Sequence, residues 1–168
     1  MPKIIENLQQ KLIEEARKQA EAGGYAAVTI RSVAKACGVG VGTVYNYFPS
    51  KDALLAAYML EGWKVSMAAI SAAAETAEGP EPVLQAIHDQ LLQYAAGHRG
   101  IIGDRAAASA FAESFRRYHA MLRSQLAAPL RRFCESDFTA EFAAEALLTW
   151  TLSGKSFEDL WSILQKLF

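Results

Sequence analysis

Cysteine is nearly absent from this sequence. The 168 residues hold only Cys37 and Cys134. Two cysteines so far apart read as reduced thiols, as expected of a cytoplasmic chain, and not as a disulfide framework. Proline and glycine are also sparse, five and eleven residues, which excludes fibrous and low-complexity architectures. No unbroken apolar run has the length of a membrane span, since Ser66 and Ser71 interrupt the stretch from Val65 to Ala74. Glu6, Glu14 and Glu15 are out of place in a secretory leader, so no membrane role is expected. The three histidines, His88, His98 and His119, share no i, i+4 spacing and no Cys-x-x-Cys pair accompanies them, so no metal is expected. A nucleophile elbow, a phosphate loop, a zincin motif and a paired-carboxylate signature are all missing. The expectation is a non-enzyme without a cofactor.

What is present is apolar and helical. Hydrophobic residues make up 52% of the chain, many of them alanine, with few β-branched runs. Ile5, Leu8, Leu12, Ala16 and Ala20 recur at helical spacing, and Gly23-Gly24 offers a stop. Thr29 suits the cap of a second helix from about Ile30 to Ala36, and a third runs from Val41 to Phe48 before Pro49. Ser50 starts a long fourth helix. A fifth spans about Pro82 to Ala96, Gly97 to Gly103 interrupts, and Asp104 caps another toward Leu126. Two more, Thr139–Leu152 and one begun by the Ser156–Asp159 pair, close the chain. The fold class is therefore all-α: a three-helix head over residues 1–49 and a helical body over 50–168. Charge divides with it. Residues 1–51 carry seven Lys/Arg and four Asp/Glu, 7 − 4 = +3, and residues 52–168 carry ten and fourteen, 10 − 14 = −4. A basic head on an acidic body suits a protein that offers one end to phosphates.

Ile30 to Pro49 matches the physical template of a helix-turn-helix. Ala34 is small where two helices must cross, and Gly38 accepts the positive φ of the turn. Val33, Cys37, Val39, Val44 and Tyr47 fall at positions that should be buried. Tyr45 and Tyr47 cannot share a direction, and Tyr47 is the better core candidate.

The stretch from Thr29 through Ile30-Arg31-Ser32 to Tyr47-Phe48-Pro49-Ser50-Lys51 resembles the DNA-binding signature of the tetracycline-repressor (TetR) family. Gly24-Tyr25 before it and Asp52-Ala53-Leu54-Leu55 after it extend the likeness over roughly residues 8–58. The resemblance implies that Gly40 to Tyr47 form a recognition helix in the major groove of double-stranded operator DNA. It gives Thr43 and Asn46 to base edges or phosphates, Arg31 to a base or phosphate, and Val41 and Gly42 to the groove, with Val41 near a thymine methyl. Tyr45, Tyr47 and Lys51 match phosphate-contacting positions, and Thr29 at the start of the stretch joins the set. Gly40 and Val41 depart from the pattern, where relatives carry polar and charged residues. That departure implies modest direct readout and more weight on DNA shape.

Function in the body is less marked. Met59, Trp63, Met67, Phe111, Phe115, Tyr118, Met121 and Trp150 would suit an apolar cavity, though each alone reads as core. The resemblance implies an unknown small apolar or amphipathic effector there. Phe142, Ala146, Leu147 and Trp150, then Phe157, Leu160, Trp161 and Leu164, give the closing helices much apolar surface. They read either as intramolecular core or, as the resemblance implies, as a homodimer interface. The expectation is a ligand-responsive repressor on a palindromic operator. The alternative is a protein of the same fold that acts through a protein partner and reads DNA weakly or not at all.

Overall fold

A computed structural model describes residues 7–168, with side chains described over 7–109 and 118–168. The described chain is helical without strands. Its elements are α1 Leu8–Ala27, α2 Ile30–Cys37, α3 Val41–Tyr45, α4 Lys51–Thr76, α5 Pro80–Gly97, α6 Arg99–Ile102, α7 Arg105–Ala127, α8 Asp137–Leu152 and α9 Phe157–Leu164. Two 3-10 turns, Ala128–Phe133 and Gln165–Leu167, follow α7 and α9.

The chain forms two compact units. The first takes the described chain through Gly62 together with His98–Ala112, and the second takes Trp63–Gly97 and Glu113–Phe168. The break expected at residue 49 therefore lies inside the first unit. The reason is burial: Leu54, Leu55 and Tyr58 of α4, Ile101 of α6 and Ala107 of α7 pack in one core with Leu12, Val28, Val33 and Val44. A three-helix head of this size has too little apolar surface of its own, and the added segments supply the rest.

Within the first unit, Leu8, Leu12, Ile13, Ala16 and Ala20 form the buried stripe of α1. The expected stop at Gly23-Gly24 is a kink: Gly24 adopts φ 72 and ψ −167, and helix resumes to Ala27. Gly24 also lies against α6. A Cβ on it would stand 3.1 Å from the Gly100 carbonyl oxygen, and one on Gly100 would stand 3.1 Å from the Ala20 oxygen and from the Gly24 Cα. Backbone meets backbone here because both residues lack side chains. The turn α6 lies within the stretch read as an interruption, and it brings Ile101 into the core.

The second unit is built on α5 and α8, with α9 and the 3-10 turn at Ala128–Phe133 packed against both. Its core holds Trp63, Ile70, Leu84, Ile87, Leu91, Leu126, Leu130 and Leu147. Ser136 and Ser156 cap α8 and α9, each accepting a hydrogen bond from the backbone N–H three residues on. Arg132 donates to the carbonyls of Ala74 and Ala77 at the end of α4, and Arg131 pairs with Asp137 at 3.2 Å. Both arginines are exposed and serve helix ends from the solvated side.

By length and composition alone α4 is long and apolar enough to cross a membrane, although Ser66 and Ser71 interrupt its apolar runs. Alanine is itself apolar, and serine lowers the hydropathy far less than a charged residue does. A third of that stretch is buried, with Leu54, Leu55 and Tyr58 of α4 in one core and Trp63 and Ile70 in the other.

Candidate nucleic-acid interface

Local chemistry fixes each part of the helix-turn-helix. Thr29 Oγ1 accepts from the Ser32 N–H at 2.9 Å and Ser32 Oγ accepts from the Thr29 N–H at 3.1 Å, a reciprocal capping box. Ser32 Oγ also donates to Gln19 Oε1 at 2.6 Å, which ties α2 to α1. At the far end Gly38 sits at φ 68, ψ 31. The Val39 N–H reaches the Ala34 carbonyl at 3.0 Å and the Gly38 N–H reaches that of Lys35 at 3.2 Å, a Schellman closure. A Cβ on Gly38 would meet nothing within 4 Å, so backbone conformation and not space demands glycine there.

The helix α3 is short. Gly40 precedes it with no side chain to cap the first turn. It ends at Tyr45, three residues before the expected Phe48, because residue 48 precedes Pro49 and is steered away from helical backbone. The last turn tightens, with the Tyr47 N–H on the Val44 carbonyl at 3.0 Å. Phe48, at 5% exposure, thereby takes the core place expected of Tyr47, which is 45% exposed. The i, i+4 relation of Phe48 to Val44 is the signal that marks it. Val33 and Val44 are fully buried as expected, and Val39 and Cys37 are partly buried. Cys37 donates weakly to the Lys11 carbonyl, and burial raises its thiol pKa, which lowers its reactivity.

Thr29, Arg31, Val41, Tyr45 and Lys51, drawn from three elements, line one open groove of about 580 Å³. Pro49, Ser50 and Asp52 complete its wall on the α4 side. Of the other expected contacts, Gly42, Asn46 and Tyr47 are exposed and Thr43 is half-buried. None of these four borders the groove. The Thr29 hydroxyl is engaged in the capping box, so its part at the groove is structural as well.

Tyr25 and Asp52, which carried no assigned role, organise the Lys51 end. The Lys51 ammonium lies 3.6 Å from the centroid of the Tyr25 ring. The Tyr25 hydroxyl donates to Asp52 Oδ1 at 2.7 Å. Burial holds the Lys51 ammonium below the ordinary lysine pKa, against the opposing pull of Asp52 and Asp104. The hydrogen bond to Asp52, with burial and the Asp52 and Asp104 charges behind it, pushes the Tyr25 phenol up to about 12. Each adjoins a residue already singled out, Tyr25 the kink glycine and Asp52 the Lys51 position, but no sequence pattern pairs them.

The described residues expected to line a cavity fall in both units. Met59 packs on the core of the first unit, and Trp63 is buried in the second. Trp63 donates to Gln125 and meets Tyr94 edge-on at 5.5 Å. Met67 and Met121 are half-buried, and Tyr118 and Trp150 are exposed. Phe111 and Phe115 lie outside the residues whose side chains are described. The closing helices also divide. Leu147, Phe157, Leu160 and Leu164 are buried in the core of their own unit and Ala146 and Trp161 pack partly against it, whereas Phe142 and Trp150 are each 50% exposed. Half of the expected interface is thus intramolecular core, because α9 folds back on α8 and α5. Among the described residues, no cluster of His, Cys, Asp or Glu is arranged to hold a metal ion.

Residues 12–58 match the family model described as bacterial regulatory proteins, tetR family. Over those residues the head is similar to the DNA-binding head of tetR family regulators. Over 46 residues, 27% of the chain, it is 46% identical to the HTH-type transcriptional repressor KstR of Rhodococcus jostii (strain RHA1). That match spans 22% of the length of the curated relative. The fold extends the likeness beyond the tetR head. AlkX, a TetR family repressor from Dietzia sp. strain DQ12-45-1b implicated in biodegradation of n-alkanes, superposes with a TM-score of 0.62 at 19% identity, covering 96% of this chain and 97% of that one. The transcriptional regulator FadR from Bacillus subtilis, in complex with stearoyl-CoA, gives 0.53 at 17% identity, over 94% and 96%. The matched family model and both superposed structures are those of regulators.

Proposed function

We propose that the chain is a cytoplasmic transcriptional repressor that binds a palindromic operator as a homodimer and is released by a small apolar or amphipathic effector. The observation that carries this reading is the convergence of Arg31, Val41, Tyr45 and Lys51 on one groove beside α3. Two cations and a phenol at the rim suit phosphates, and Val41 suits a thymine methyl. Asn46 supplies the exposed amide for a base edge, with Thr43 as a partly shielded hydroxyl. Arg31 and Lys51 anchor the duplex, while the uncapped, glycine-flanked α3 leaves much of the selectivity to DNA shape.

Phe142 and Trp150 on α8 are the exposed aromatics through which a second copy would pair. A pair of heads is what a two-fold operator requires. The effector class rests on the acyl ligand of FadR and on the apolar composition of the body. Since α4 contributes to both units, it is the element whose course an effector would change. The effector must bind the DNA-incompetent state more tightly, or nothing shifts.

Fluorescence anisotropy against salt tests the reading. A labelled duplex selected from a random pool by the protein should bind with two protomers per site. Its logarithmic salt slope should be about −0.9 for every phosphate neutralised. A scrambled duplex should bind more weakly. Equal, weak binding to both would favour action through a protein partner.

A further inference from the structure

We propose that Tyr25 is a positioning residue for DNA binding: its ring seats the Lys51 ammonium at the groove while its hydroxyl holds the adjacent Asp52 carboxylate away from that ammonium. The inference rests on the DNA-binding reading above and deepens it. Lys51 and Asp52 are consecutive and both line the groove, so a cation meant for phosphate stands beside an anion that competes for it. Left alone, such neighbours pair with each other, and the carboxylate repels phosphate. The structure shows another arrangement. Asp52 is engaged 2.7 Å from the Tyr25 hydroxyl, and the ammonium rests on the ring face 3.6 Å from its centroid. Among the described residues, no carboxylate oxygen lies within 4.0 Å of the Lys51 ammonium.

The ring does a second thing. An ammonium on an aromatic face is partly stripped of water and restricted in rotamer, so less ordering is needed when phosphate arrives. Tyr25 can hold both neighbours because Gly24 breaks α1 with its positive φ just before it, and α4 begins at Lys51. The phenol thus sorts one positive and one negative side chain that the chain itself places together.

The test is a mutant cycle read by anisotropy on the duplex selected by the wild-type protein, with thermal melts confirming that each variant folds. Tyr25→Phe keeps the ring and frees Asp52. It should weaken binding about threefold to tenfold at low salt and flatten the salt slope, as loss of one cation contact per protomer does. Asp52→Asn in that background should restore affinity, because no carboxylate remains to compete. In a Lys51→Ala background, Tyr25→Phe should change nothing further. Overturning results are a Tyr25→Phe protein with wild-type affinity and slope, a loss that Asp52→Asn does not repair, or one that persists without Lys51. A wild-type protein that selects and binds no duplex at low salt would overturn the DNA-binding reading and this inference together. Additive losses in a protein that does bind would overturn this inference alone.

Discussion

The two units solve different problems with different materials. The first fixes its functional segment with backbone devices: a capping box at Thr29 and Ser32, a Schellman closure at Gly38, a kink at Gly24 and the turn before Pro49. Each device uses a residue type that few others can replace. The second unit is held by interchangeable apolar side chains such as Ile87, Leu91, Leu130 and Leu147, with short polar caps at its helix ends. Precision at a surface that must meet another molecule comes from backbone geometry, and bulk stability comes from burial.

Substitutions on α8 and at the turn would sharpen that contrast, and the largest effect should come from burial. Leu147→Ala removes a side chain at 0% exposure and should cost about 2–5 kcal/mol in chemical denaturation. Trp150→Ala, three residues along the same helix and half exposed, should cost little stability but weaken self-association in sedimentation. If the two variants lost equal stability, the division of α8 into core and free faces would be wrong.

Gly38→Ala comes next. Space is open there, so only the strained positive φ opposes the methyl group, at about 1–2 kcal/mol. Hydrogen exchange should show the loss at the turn, and DNA affinity should fall with it. An alanine variant with unchanged stability would mean that the turn does not depend on glycine.

The smallest effect is a pH dependence. The Tyr25 phenol is raised from 10.0 to about 12 in the folded chain, chiefly by its bond to Asp52. Below pH 10 both folded and unfolded chains keep the proton and the contribution is complete. From there to about pH 12 the unfolded chain ionises first, so stability declines as pH rises and then levels. The wild-type protein should lose more stability across this window than Tyr25→Phe does. Parallel curves would remove the Tyr25–Asp52 bond as a contributor.

The same contrast explains what could be read from residues. The head was legible because Thr29, Gly38 and Pro49 each have a local reason that needs no tertiary partner. The long helices were legible from period and caps. Tyr47 misled because its place depends on how the last turn of α3 tightens before Pro49, where Phe48 enters the core instead. In the body, Leu147 and Trp150 have similar apolar character in sequence, and only the packing of α9 and α5 on α8 separates the buried one from the exposed one. Tyr25 and Asp52 are far apart in sequence, and no pattern announces that they meet. An apolar pocket leaves no local signature either, which is why Met59 and Trp63 read alike yet pack in different cores.

The discontinuous first unit has a practical consequence for dissection. A fragment cut after α3, or even after Gly62, would not be a miniature of the head. It would lack Ile101 and Ala107, and it would leave the flat seat at Gly24 open to solvent where Gly100 should lie. Grafting this head onto another protein therefore calls for two pieces of chain, stitched so that α6 returns to α1. A graft that carries only the familiar N-terminal stretch should inherit the motif but not its rigidity.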